Sequence, residues 1–122
     1  MKLQCSAQEL ITGLVNATRA LSARPATQVL ECVKFSTGED EVSLTCTDGS
    51  LTICARIKAQ IEEPGEVLLP GKLFTEIARK LPEGTVTINM NEKYLTIIKC
   101  ASSRSTLTGF AVPIRLHTGN LA

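Results

Sequence analysis

The sequence predicts an α+β domain built from two β-α-β-β-β units, with two helices on one face of antiparallel sheets. Two observations lead there. The order strand, helix, three strands occurs in residues 1–57 and again in 65–110. Two segments carry apolar residues at helical spacings of three and four, whereas the others read as short strand-like runs separated by turn signals.

In the first unit, Met1-Lys2-Leu3-Gln4-Cys5 alternates apolar and polar, as a half-buried strand does. It stops at Ser6-Ala7-Gln8-Glu9, a capping-box pattern that starts a helix. Leu10, Leu14, Ala17 and Leu21 form its apolar stripe, leaving Gln8, Thr12, Asn16 and Arg19 opposite. Arg24-Pro25 ends the pattern, because the residue before a proline avoids the helical region. Strands are then expected at Val29–Ser36, Val42–Thr47 and Leu51–Ile57, joined through Thr37-Gly38-Glu39-Asp40 and Asp48-Gly49.

The second unit opens with a short strand, Glu66–Leu69, which gives way at Pro70-Gly71 to a helix over Lys72–Leu81. Leu73, Phe74, Ile77, Ala78 and Leu81 make its apolar stripe; Lys72, Thr75, Glu76, Arg79 and Lys80 occupy the other side. Pro82-Glu83-Gly84 breaks the helix, and strands follow at Val86–Met90, Tyr94–Cys100 and Ser105–Phe110.

The 122 residues and 43% apolar content suit one domain with a real core. No apolar run approaches the roughly 20 residues that span a bilayer, and the N-terminus lacks a signal-peptide layout, so the expected compartment is the cytoplasm. Five cysteines without a C-x-x-C pair suit neither a disulfide framework nor a zinc site; all five fall in expected strands, where core packing is their expected role. No cofactor or metal is expected.

An enzyme is not expected either. The one histidine, His117, lies in the tail, away from any cysteine it would have to activate. The carboxylates of Glu39, Asp40 and Glu41, and of Glu62 and Glu63, sit in expected turns, where charge is ordinarily solvated. Phosphate-cradling glycine loops are absent. The 13 basic and 12 acidic residues nearly balance, but their placement differs. Arg19, Lys72, Arg79 and Lys80 lie on polar helix sides and Arg24 in the loop after the first helix, so a face covered by both helices is modestly positive. Exposed helices also carry such charge for solubility alone. With three phenylalanines and one tyrosine, no stacking platform for single-stranded bases is expected.

Several segments, in order and spacing, resemble one family. These are Arg24-Pro25, Leu44-Thr45-Cys46-Thr47-Asp48, Ala55-Arg56-Ile57, the run from Gly65 through Pro70-Gly71-Lys72-Leu73-Phe74, and Ile77-Ala78-Arg79-Lys80-Leu81-Pro82-Glu83-Gly84. They resemble the N-terminal domain of the bacterial DNA polymerase III β subunit, the sliding clamp, from Met1 to about Leu107. The resemblance implies a non-catalytic processivity factor whose helices face duplex DNA inside a ring. It assigns DNA contacts to Arg24, Lys72 and Arg79; Arg19, Gln8, Thr12 and Asn16 rest on helix geometry alone. It also implies a ring interface near Arg104 and Leu107, although Ser105 stands where an aromatic residue is common in the family. Polymerase and clamp loader are implied as partners of the intact clamp, whose peptide-binding pocket lies in domains outside this chain.

The expected domain spans residues 1–110, with 111–122 an irregular tail or the start of an interdomain connection. The length leaves two readings open: part of a full clamp, or a short clamp-like protein that must self-associate to surround DNA. A non-catalytic protein- or ligand-binding domain on the same scaffold, without DNA, is the alternative function.

Overall fold

Local sequence signals and strand pairing together produce the architecture of the computed structural model, in which residues 1–21 and 31–113 are described. Strand β1 (Lys2–Ser6) runs directly into helix α1 (Ala7–Ala17). The Ser6 hydroxyl caps it by accepting from the Glu9 N–H at 3.4 Å, and a 3-10 turn, Thr18–Ala20, continues it. Strands β2 (Cys32–Thr37), β3 (Glu41–Thr47) and β4 (Thr52–Glu63) complete the first unit. The second repeats the order: β5 (Glu66–Pro70), α2 (Gly71–Arg79), β6 (Thr85–Met90), β7 (Leu95–Cys100) and β8 (Ser103–Thr108).

The strands form one eight-stranded sheet in the order β5-β2-β3-β4-β1-β6-β7-β8, antiparallel throughout. The leading strands join the two units: β1 stays paired with β4 of its own unit and borders the second on its other edge, and β5 leaves its unit altogether. β1 pairs with β6, Leu3 opposite Ile88, and β5 pairs with β2, Leu69 opposite Val33. The first unit keeps its strands contiguous as β2-β3-β4-β1, whereas the second is split, with β5 at the far end of the sheet from β6-β7-β8, so the second unit is completed only on the first. The sheet's two ends nearly meet: β5 and the chain just after β8 join at a single bridge, Leu68 to Phe110.

One core fills the inner side. It takes inward residues from both ends of the sheet, such as Leu3, Leu44, Leu69 and Ile98, together with Leu10 and Leu14 of α1 and Phe74 and Ala78 of α2. Both helices therefore lie on the same face of the sheet, packed against each other as well. The α2 helix is fixed by Phe74, whose ring meets Phe35 of β2 edge to face with centroids 5.6 Å apart. At its start Gly71 allows a close approach: a Cβ there would fall 2.5 Å from Leu21 Cδ1 and 3.2 Å from the Glu31 carbonyl.

Four expectations need correction. β4 does not stop at Ile57, because Ala59 and Ile61 continue its inward row and pair with Cys5 and Leu3 of β1; Glu62 and Glu63 thus end a strand rather than occupy a turn. Leu73 is not part of the buried stripe: it is 48% exposed, since Phe74 and Ala78 supply the helix's buried residues after Gly71. Cys54 is exposed on the outward row of β4, whereas Cys5, Cys32, Cys46 and Cys100 are buried. Leu107, expected at a ring interface, points inward and is only 1% exposed, so its side chain belongs to the core. The expected strand start at Val29 lies outside the described residues.

Replacing Phe74 by Ala removes the ring that joins α2 to β2, and we expect a loss of about 3–5 kcal/mol. Urea unfolding of the two proteins measures it; a loss below about 1 kcal/mol contradicts this packing role.

Candidate nucleic-acid interface

The exposed sides of the two helices form the candidate site. Burying Leu10, Leu14 and Ala17 leaves Gln8, Glu9, Thr12 and Asn16 of α1 exposed, with Arg19 just beyond in the 3-10 turn. Burying Phe74 and Ala78 leaves Lys72, Leu73, Glu76, Arg79 and Lys80 of the α2 segment exposed. Because α1 packs on α2, these two rows share one surface.

Its charge is uneven. Arg19, Lys72, Arg79 and Lys80 are positive, Glu9 and Glu76 negative, and none of the four cations has an ion-pair partner within 4.0 Å among the described residues. The ion pairs found there lie elsewhere, as between Lys2 and Glu62 at 3.4 Å or Arg56 and Glu41 at 3.8 Å. Lys72 and Arg79 are seven positions apart, two helical turns and about 10 Å along the axis, so both project from the same side. Glu76 stands between them, one turn from each. Such a surface attracts a polyanion without holding it rigidly, since it offers long mobile cations and no deep cleft.

The expected residues divide clearly. Arg19, Lys72 and Arg79 share the helical face, as do Gln8, Thr12 and Asn16; Arg24 lies outside the described residues. Arg104 is exposed on β8, opposite Lys99 of β7, and belongs to the outward side of the sheet. Lys80 joins the helical face although the sequence marks it only as one of several polar-side residues. The signal for it was its position next to Arg79, just where the helix ends.

Burial disfavours the thiolate at three of the cysteines. Burial pushes Cys5 and Cys46 up to about 12 and Cys32 up to about 11 from an ordinary 9.0. The carboxylate of Glu9 adds to the effect on Cys5, and that of Glu31 to the effect on Cys32. Cys100 donates its S–H to the Pro82 carbonyl at 3.2 Å. Among the described residues no three His, Cys, Asp or Glu side chains gather as a metal site, and no helix is long and apolar enough to cross a membrane.

Comparisons with known proteins identify a family and its fold. Residues 1–113 match the family model described as DNA polymerase III beta subunit, N-terminal domain. The Beta sliding clamp of Bacillus subtilis is 31% identical over 117 residues, covering 89% of this chain and 31% of that protein. The Beta sliding clamp of Streptomyces coelicolor is 35% identical over 107 residues, covering 88% of this chain and 28% of that one. The crystal structure of the Bacillus subtilis DNA polymerase sliding clamp superposes with a TM-score of 0.87 at 29% identity, over 93% of this chain and 33% of its own. The chain thus spans about a third of the length of the curated relatives it matches.

The raised thiol values set a pH dependence. A folded value above the unfolded 9.0 stabilises the protein fully below that pH, and the contribution is lost as pH rises toward 11 to 12. Melting temperature should fall above pH about 9, and less steeply in Cys46→Ala; parallel curves for the two proteins contradict the assignment.

Proposed function

We propose, from the premise that this chain belongs to the DNA polymerase III beta subunit family and matches its N-terminal domain, that its helical face lies against duplex DNA without reading sequence. The observation carrying this is the set of four cations, Arg19, Lys72, Arg79 and Lys80, on one side of the sheet with no internal ion-pair partner among the described residues. Phosphates are the matching ligand. Each phosphate neutralised by a lysine or arginine releases condensed counterions, which makes binding weak at physiological salt and steeply salt-dependent. Glu76, between Lys72 and Arg79, keeps the attraction low enough for movement along the duplex. By resemblance to the family, Arg24 is a further phosphate contact.

The activity is that of a processivity factor: the domain supplies no chemistry and keeps a replicative polymerase on its template as part of a ring. Residues 1–110 form one clamp-type domain, and the chain from residue 111 begins an interdomain connection. Ring closure uses β8, which ends the strand order and offers its edge for pairing. Lys99 and Arg104 face each other across β7 and β8, a like-charge pair that suits an acidic surface on the neighbouring domain or subunit. Polymerase and clamp loader engage the assembled ring, in the cytoplasm where the chromosome lies.

Fluorescence anisotropy with a labelled duplex over a salt series tests the DNA surface. The double variant Lys72→Glu and Arg79→Glu should weaken binding about tenfold and lower the salt slope by about two, equally for unrelated sequences. Glu76→Gln should tighten binding severalfold. Binding that is insensitive to salt, or unchanged in both variants, overturns the reading and favours a protein- or ligand-binding domain.

A further inference from the structure

The sequence holds one Asp-Gly bond, Asp48-Gly49, and no Asn-Gly bond. An aspartate followed by glycine is chemically vulnerable, because no Cβ shields the glycine nitrogen from the carboxyl carbon before it. The bond lies at the tip of the β3–β4 hairpin, whose strands pair from Glu41 opposite Lys58 to Thr47 opposite Thr52. Gly49 has a φ of +98°, and nothing lies within 4 Å of where its Cβ would be, so water reaches the tip. Both partners of the reactive pair are nevertheless held. The Gly49 N–H donates to the Thr47 hydroxyl oxygen at 3.1 Å, and the Thr52 hydroxyl donates to the same oxygen at 3.1 Å. One Asp48 carboxylate oxygen accepts from the N–H groups of Ser50 at 2.8 Å and Leu51 at 2.7 Å, while the Asp48 N–H donates to the Leu51 carbonyl at 3.1 Å.

We propose that Asp48-Gly49 is a site of spontaneous conversion to isoaspartate that the folded hairpin holds in check, so that the modification accumulates only when this tip opens. In that conversion the Gly49 nitrogen bonds to the side-chain carboxyl carbon of Asp48, and the carboxyl O–H leaves with the nitrogen's proton as water. Water then opens the five-membered ring at either carbonyl, giving back aspartate or giving isoaspartate, whose backbone runs through the side-chain carbon. The fold opposes the first step at both partners. Thr47 occupies the Gly49 N–H, and the carboxylate is committed to Leu51 and Ser50, whose N–H bonds also hold it below the usual carboxylate range and keep its neutral form scarce. Isoaspartate lengthens the backbone by one carbon and shifts the carboxylate, so a converted tip cannot rebuild these bonds. The site does not depend on DNA binding.

Ageing the full chain at neutral pH, natively and in urea, tests the proposal. Peptide mass spectrometry with electron-transfer fragmentation, which separates the two isomers, reads the isoaspartate fraction at Asp48. The native chain should convert roughly tenfold or more slowly than the unfolded one, because conversion there waits on local opening. Thr47→Val should speed native conversion about threefold or more, whereas Thr47→Ser, which keeps the hydroxyl, should stay close to the unsubstituted chain. Equal rates in the native and urea-unfolded chain overturn the proposal, as does a Thr47→Val rate no faster than that of Thr47→Ser. The comparison with urea needs no variant and decides alone if Thr47→Val fails to fold.

Discussion

The pairing of the two leading strands across the unit boundary is the constraint on which the rest of the structure depends. Because β1 lies between β4 and β6, and β5 pairs with β2, the hydrophobic face of each unit is completed by a strand from the other. An unpaired central strand would leave its backbone groups without partners, at a cost comparable to lost hydrogen bonds. The units are thereby tied into one cooperative domain, and both helices are held on the inner side of one curved sheet. Phe74 on Phe35 and the close approach at Gly71 then fix where α2 sits.

Function follows from what that placement leaves outside. Each helix buries one stripe and exposes the other, so two polar stripes become one surface, and the cations on it have no acidic neighbour in ion-pair range among the described residues. Under the proposed function, a surface along which DNA slides benefits from long side chains and from counterion release, both of which are indifferent to base identity. Acidic charge is concentrated elsewhere, at Glu39, Asp40 and the first residue of β3, Glu41, and around Glu62–Glu66, where it does not cancel the helical face. Within α1 and α2, Glu9 and Glu76 moderate it.

The doubled pattern, both helices and the approximate place of every strand were legible in the sequence, because they rest on local periodicity and turn chemistry. The pairing of β1 with β6 and of β5 with β2 was not, since register between distant segments leaves no local mark. The same gap explains β4: Ala59 and Ile61 become an inward row only because β1 lies alongside. Leu73 misled because helical spacing gives a face without its centre, and the close approach at Gly71 and the burial of Phe74 decide that centre. Leu107 misled in the opposite way: alternation along β8 turns it into the core, while Arg104, three residues earlier, points out. Of the DNA-facing candidates, Arg19, Lys72 and Arg79 follow from helix geometry, whereas Arg24 rests on the family resemblance alone.

The central claim is that pairing across the two units places both helices on one face and that this face meets duplex DNA. Chemical-shift mapping by nuclear magnetic resonance, with a short duplex titrated at low salt, tests it most directly. The account predicts shifts concentrated along α1, the following 3-10 turn and α2, centred on Arg19, Lys72 and Arg79, with the outward residues of β3 and β4 unmoved. Shifts centred instead on Lys58, Lys99 or Arg104, on the opposite side of the sheet, would contradict it.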